Sequence, residues 1–225
     1  LPLARKNLGH TMFQDPQTPP SLLPFSQACE NNKAPILAVL ETAFASAKQV
    51  LEIGSGTGQH AVYFAENLPQ LFWQTSDQTD YLEGISARCR QQGHQKGINN
   101  LGLPFALDVT QPWPIDDIRI DAVFSANTLH IMSQAMVEAF FTGLGQYLPQ
   151  LKTLCIYGPF NYQGQFTSDS NHQFDQYLKQ RDSESGIRDI EWIIQLAQAQ
   201  AFTLIADTAM PANNRLLHFS KHATD

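Results

Sequence analysis

Apolar positions along this chain fall into short runs that alternate with stretches of helical spacing. Ile36, Leu37, Val39, Leu40 and Phe44 recur every three to four residues behind Pro35, a residue suited to a first helical turn. The compact run Gln49–Ile53 comes next and ends in glycines. Further runs at 71–76, 103–107, 120–126 and 153–158 predict strands. The stretches between them, at 59–68, 81–92 and 133–148, predict helices. Such alternation predicts βαβ units around a parallel sheet covered on both faces. The end of the chain breaks the pattern. A helix near 189–200 precedes runs at 202–208 and 216–221, which only a short loop separates. Two strands joined so closely pair antiparallel. The expectation is an α/β protein: a three-layer, Rossmann-like fold whose seven-stranded, mostly parallel sheet finishes in an antiparallel hairpin.

Composition adds boundaries to this picture. The 225 residues suit one core; 43% are hydrophobic and 16% charged, as in ordinary globular chains. Pro2, Pro16, Pro19, Pro20 and Pro24 crowd a start without apolar periodicity, so residues 1–30 are expected to form a proline-rich arm and 31–225 the domain. The net charge of −7, with no Lys/Arg cluster, argues against nucleic acid as a partner. No run reaches the ~20 apolar residues of a membrane span, and no signal-peptide core follows Arg5 and Lys6, so a cytoplasmic location is expected. Cys29, Cys89 and Cys155 lack metal or redox spacing, and no HExxH motif occurs, so no metal site is expected.

Candidate chemistry begins at Glu52-Ile53-Gly54-Ser55-Gly56-Thr57-Gly58-Gln59, where a strand turns into a helix. Glycines here admit positive φ and let a ligand approach the backbone, and the helix start suits an anionic group. A dinucleotide fingerprint would place its third glycine where Gln59 stands. The observed spacing, GxGxG behind Glu52, instead resembles the first motif of class I S-adenosylmethionine-dependent methyltransferases. Asp77 closes the next strand, roughly 20 residues on, where a carboxylate can accept from both ribose hydroxyls; a turn aspartate is the alternative. Asp108 and Val109 follow the strand after that. By the resemblance Asp108 would receive the adenine amino group and Val109 would lie near the ring; a plain turn role for Asp108 is again the alternative.

More of the chain matches one group within that superfamily. The words Glu30-Asn31-Asn32-Lys33 with Pro35-Ile36-Leu37, residues 51–60, and Trp73-Gln74-Thr75-Ser76-Asp77 match it. So do Leu107-Asp108-Val109, Asn127-Thr128-Leu129-His130-Ile131, Tyr157-Gly158-Pro159-Phe160, Ser170-Asn171, Phe174-Asp175, Gly186-Ile187-Arg188-Asp189 and residues 210–214. Together they are similar to a methyltransferase-like family of unknown function found in bacteria and animals. The resemblance implies the class I methyltransferase fold, a site for S-adenosyl-L-methionine and a methyltransferase activity. Two departures stand out: Asn31 replaces the family's usual arginine, and Gly54 stands where alanine is common, which suggests that this glycine is dispensable.

The remaining candidates concern an acceptor. Methyl transfer from a sulfonium is an in-line displacement that depends mostly on positioning. Asn127, at the strand end that faces the transferring methyl in this fold, is expected to touch both cofactor and acceptor. His130 is the candidate base, acting near its ordinary pKa of ~6.5, and Tyr157 could line the same pocket. A structural histidine and a core tyrosine are the alternatives. The polar, aromatic segment 159–188 has the length to roof a site. Phe160, Asn171 and Arg188 within it, and Asn213 in the final hairpin, are the expected substrate contacts, with Arg188 as a clamp for a carboxylate; a surface ion pair for Arg188 and a turn role for Asn213 are the alternatives. The acceptor is thus expected to be a small neutral or anionic molecule. A protein that binds the cofactor or its product as a regulator or scaffold, without turnover, is the second reading.

Overall fold

A computed structural model describes residues 23–115 and 119–221. Most of the expected proline-rich arm, residues 1–22, lies outside the described residues. The first element, α1 (Gln27–Ala43), starts well ahead of Pro35, which sits inside it. Ser26 caps it, its side chain accepting from the Cys29 amide at 3.3 Å. The helix starts among polar residues, which is why apolar spacing found only its second half.

The order continues with β1 (Gln49–Ile53), α2 (Gln59–Asn67), β2 (Phe72–Asp77), α3 (Leu82–Arg88), β3 (Leu101–Ala106), β4 (Ala122–Ala126) and α4 (Gln134–Tyr147). Then come β5 (Thr153–Gly158), β6 (Phe160–Asn161), α5 (Asp169–Arg181), β7 (Arg188–Asp189), α6 (Ile190–Ala199), β8 (Phe202–Met210) and β9 (Asn214–Lys221). Seven strands form one sheet in the order β3-β2-β1-β4-β5-β9-β8. The first five are parallel; β9 pairs antiparallel with both β5 and β8. This is the class I methyltransferase fold with the terminal hairpin that the sequence predicts.

Each central strand feeds two cores, because successive side chains point to opposite faces. Val50, Phe124, Cys155 and Tyr157 face α1, α2 and α3 through Ile36, Leu40, Phe64 and Ile85. Leu51, Val123, Leu154 and Ile156 face α4 and α6 through Phe140, Phe141, Leu144 and Ile193. Phe64, Trp73 and Phe124 meet at ring distances of 5.3 to 5.7 Å, which makes Trp73 a core residue. Truncating any of these large, fully buried side chains to Ala would cost about 2–5 kcal/mol.

The segment after β5 contains a helix that the sequence did not reveal, α5, whose N-cap Ser168 accepts from the Asn171 amide at 3.1 Å. Few apolar residues mark this helix. Leu178 is its one buried aliphatic side chain, so apolar spacing alone could not reveal it. Residues 160–161 and 188–189 then pair as a separate two-stranded ribbon. Since β1 and β4 are neighbours whose successors run outward in opposite directions, the crevice above their carboxyl ends is where open α/β sheets place ligands.

Candidate functional site

Above that crevice the glycine turn walls a cavity of ≈ 430 Å³. Gly54 and Gly56 adopt φ of +80° and +58°, so the backbone reverses where L side chains are strained. A Cβ at Gly56 would meet no atom within 4 Å, leaving open space above the peptide. At Gly54 a Cβ would come within 2.5 Å of Thr128 Cγ2. An alanine here would therefore have to displace the Thr128 methyl, besides holding a positive φ. Gly58 (φ +74°) caps α2 and does not line the cavity.

Asp77, the last residue of β2, lies against the turn. Its Oδ2 accepts from the Gly56 amide at 2.7 Å and its Oδ1 from the Gln78 amide at 2.7 Å. Burial raises its pKa, against the pull of these two amides. Each oxygen retains a further lone pair for a ligand hydroxyl. Val109 and Leu107 add apolar surface at the same end, with Ile131, Met132 and Met136 further along. Asp108 lies in a neighbouring depression with Gln78, and its Oδ1 accepts from the amide and hydroxyl of Thr110. It thus makes the turn contacts of the plainer reading and stands outside the cavity.

Glu52 is beneath the turn and outside the cavity lining. It is 1% exposed, and its Oε2 accepts from the Trp73 indole at 3.2 Å. Burial pushes its carboxyl up to about 7, against hydrogen bonds from Ser55 and Trp73. Near neutral pH it is partly protonated, which lets it sit under the turn without a counter-cation.

Gln59 has a structural task that its mismatch to the dinucleotide pattern did not suggest. Its Oε1 accepts from the Ser26 amide at 2.7 Å and from the Thr57 hydroxyl at 2.9 Å, while its Nε2 donates to Glu30 Oε1 at 2.6 Å. Arg88 donates to the carbonyls of Thr57 and Pro24. The chain before α1 is therefore pinned across the rim of the glycine turn, and Ser26 and Cys29 line the cavity.

A second cavity, of ≈ 540 Å³, adjoins the first, with Ser26 and Asn127 on the wall they share. Asn127 holds a left-handed backbone (φ +58°), uncommon outside glycine, while its amide donates to the Tyr157 carbonyl at 2.9 Å. His130, Tyr157, Asn171 and Asn213 also line this space. Burial, helped by the Arg188 guanidinium, pushes His130 down to about 4. It is thus neutral at physiological pH, below the ordinary value expected from sequence. Phe174 meets its ring edge-on at 5.4 Å. Burial raises the Tyr157 phenol, opposed by hydrogen bonds with Asn32 and Asn214. Asn32, which sequence reasoning did not single out, is 4% exposed and spans both halves, its Oδ1 lying 2.6 Å from His60 Nε2. Only its place within the Glu30–Lys33 match pointed to it.

Two expected substrate contacts lie elsewhere. Phe160 is 2% exposed and packs in the α4/α6 core. Arg188 donates to the carbonyls of Leu129, Met132 and Glu184 and lines a separate cleft beside Trp192. Its guanidinium holds the 129–132 turn that carries His130, so it is not a free carboxylate clamp. Among the described residues, no group of three His, Cys, Asp or Glu side chains could hold a metal ion. Nor is any helix long and apolar enough to cross a membrane.

The fold has many solved counterparts. An O-methyltransferase family 2 protein from Planctomyces limnophilus, crystallised with apigenin, superposes with a TM-score of 0.73 at 16% identity, over 87% of this chain and 58% of that one. Human N-acetylserotonin methyltransferase in complex with SAM gives 0.71 at 12% identity, over 88% and 53%. An O-methyltransferase family protein from Burkholderia thailandensis gives 0.70 at 15%, over 86% and 57%. The chain thus spans little more than half the length of these proteins, and the likeness is one of fold. Residues 23–221 match the family described as "Protein of unknown function (DUF938)", and the chain belongs to that family.

Proposed function

We propose that this protein is an S-adenosylmethionine-dependent methyltransferase acting on a small-molecule acceptor. The observation that carries the reading is the pair of adjoining cavities whose common wall holds Asn127. One cavity has the features of a donor site: an open backbone cradle at Gly56, a half-buried carboxylate at Asp77 and apolar surface at Val109. These residues fit the group, Asp77 for the ribose hydroxyls and Gly54 and Gly56 for close backbone approach. When bound, S-adenosylmethionine supplies an electrophilic methyl on a sulfonium.

The chain's own residues then do the rest. Asn127 is at the junction, where its carboxamide can orient an acceptor hydroxyl or amine. His130, neutral above a pKa of about 4, can take the proton that such a group loses. Tyr157 and Asn32 fix the floor of the acceptor side. The chain between Pro24 and Cys29, tied through Gln59 and Arg88, shields the donor rim from water.

The test is a mass spectrum of the protein as purified, followed by calorimetry with S-adenosylmethionine and its product. Labelled donor is then incubated with metabolite fractions, and with RNA, DNA and protein in parallel. Donor binding with label in the metabolite fraction is the expected result. Label in the nucleic acid overturns the small-molecule half, and absence of donor binding overturns the whole. Binding without any transfer favours a regulator or scaffold that holds the donor without turnover.

A further inference from the structure

The second cavity has an unusual lining. Six of its residues are asparagines: Asn31, Asn32, Asn127, Asn171, Asn213 and Asn214. Among the described residues, no Lys, Arg, Asp or Glu lines it. A carboxamide carries a carbonyl acceptor and two N–H donors in one plane. Several of these groups have capacity left. The Asn171 and Asn213 side chains donate through Nδ2, to Thr167, to the Asn213 carbonyl and to Ser170, which leaves their Oδ1 atoms free to accept. Asn31 is the reverse: its Oδ1 accepts from Gln27, and its Nδ2 is available to donate. Phe174, which lines the cavity and is 36% exposed, offers a ring face for stacking.

A ligand's charge would find no partner here. A carboxylate has no guanidinium to meet, because Arg188 is engaged with three backbone carbonyls on the far side of the 129–132 turn. An ammonium group has no carboxylate, and the imidazole of His130 is uncharged at neutral pH. Burying a charge without a counter-charge is costly, whereas a neutral group of matched donors and acceptors is not.

We infer that this cavity binds an uncharged, planar small molecule whose edge sets hydrogen-bond donors beside acceptors, as a primary amide, a lactam or a nucleobase does. The inference rests on the reading of this cavity as the acceptor side and narrows it by removing anionic acceptors. A flat ring slides against Phe174, and its donor–acceptor edge meets the carboxamides of Asn171, Asn213 and Asn127.

A matched set of probes tests this: benzamide, benzoate and benzylamine share one ring and differ in charge at neutral pH. Protein-observed NMR follows the side-chain amide signals of the asparagines during each titration, with donor affinity measured on the same sample. Benzamide should shift the signals of Asn171 and Asn213. The two charged probes should bind at least about tenfold more weakly, the ratio given by roughly 1.4 kcal/mol of unpaired desolvation. In Asn213→Asp, which places a carboxylate on the rim, the preference for benzamide over benzylamine should narrow by about three- to fivefold. Binding of benzoate or benzylamine as tight as that of benzamide overturns the inference. So does the failure of benzamide to move these signals, or a preference left unmoved by Asn213→Asp. Donor affinity that survives such a result leaves the methyltransferase reading standing. Loss of donor binding with the amide preference intact does the opposite.

Discussion

The two cavities share Ser26 and Asn127 but are built on different principles. The glycine-turn side is built around the exposed backbone at Gly54 and Gly56. Successive strand ends, at 53–58, 77 and 107–109, come together because a parallel sheet places them there, with glycines at the first, an aspartate at the second and the apolar Leu107 and Val109 at the third. The acceptor side is assembled from side chains of α1, the 127–132 turn, β5, α5 and the final hairpin, elements far apart in the chain. A backbone-built site tolerates little change at few positions. A site built from side chains spreads its tolerance over many, and it can be retuned without disturbing the donor half.

The sharpest way to separate the halves is His130→Ala. Turnover should fall by about 10²–10⁴ while donor affinity stays at the parent value. Because burial holds His130 near 4, parent turnover should be flat from about pH 5.5 to 8 and fall only in more acidic buffer. A rate that instead climbs through pH 6.5 would show that the ring is solvated during catalysis. Gly56→Val should do the converse. Filling the cradle and straining a positive φ should weaken donor binding by on the order of a hundredfold, the ratio given by ~3 kcal/mol. Its melting curve should remain cooperative, and calorimetric affinity within twofold of the parent would sink the donor assignment.

Beneath the turn, Glu52 sets a pH signature. Its folded pKa of about 7 lies above the ordinary carboxylate value. Between about pH 4.5 and 7 the native state therefore holds a proton that the unfolded chain has lost, and stability drains away as pH rises through that window. His60 and His130, both pushed down to about 4 by burial, act in the other sense. The unfolded chain binds protons that they refuse between about pH 4 and 6.5, so their share of stability is lost as pH falls through it. Glu52→Gln should then stabilise the protein at pH 8 by up to about 3 kcal/mol and change little at pH 4.5. Denaturant melts at both pH values decide this; equal effects at each would show that Glu52 is ionised in the fold.

Smaller effects belong to the carboxylates of the turn. Asp77→Ala should cost about 1.5–3 kcal/mol of donor binding, the range for hydrogen bonds to a charged group. Asp108→Ala should cost less than about 1 kcal/mol, because Oδ1 is already taken by Thr110. Equal losses in the two variants, by calorimetry, would mean that Asp108 turns toward the donor when it binds.

The same contrast explains what could be read from the chain before its coordinates. Strands β1, β2, β4 and β5, the hairpin and the glycine turn announce themselves through local composition, and each lies close to where spacing put it. α5 does not, since it holds itself by a cap and polar contacts. The positions of Asp77 and Val109 followed from one closing a strand and the other lying just past the end of the next. Arg188 and Phe160 were misplaced because only tertiary packing decides whether such a side chain points to a cavity or to the core. Asn32 shows the opposite failure: an ordinary helical asparagine becomes central once Tyr157 and His60 arrive beside it.

The 2.5 Å approach of a Cβ at position 54 to Thr128 Cγ2 has a further consequence, written across relatives rather than within this molecule. The obstacle is the methyl on a branched Cβ, not the bulk of the residue. Relatives with alanine at position 54 should therefore carry an unbranched residue, large or small, at position 128, while glycine at 54 leaves threonine or valine permitted there. The two positions lie on neighbouring strand ends and should change hands together. In this chain Gly54→Ala should cost less stability in a Thr128→Ser background than in the parent, because the methyl contact is gone while the strain of the positive φ is the same in both.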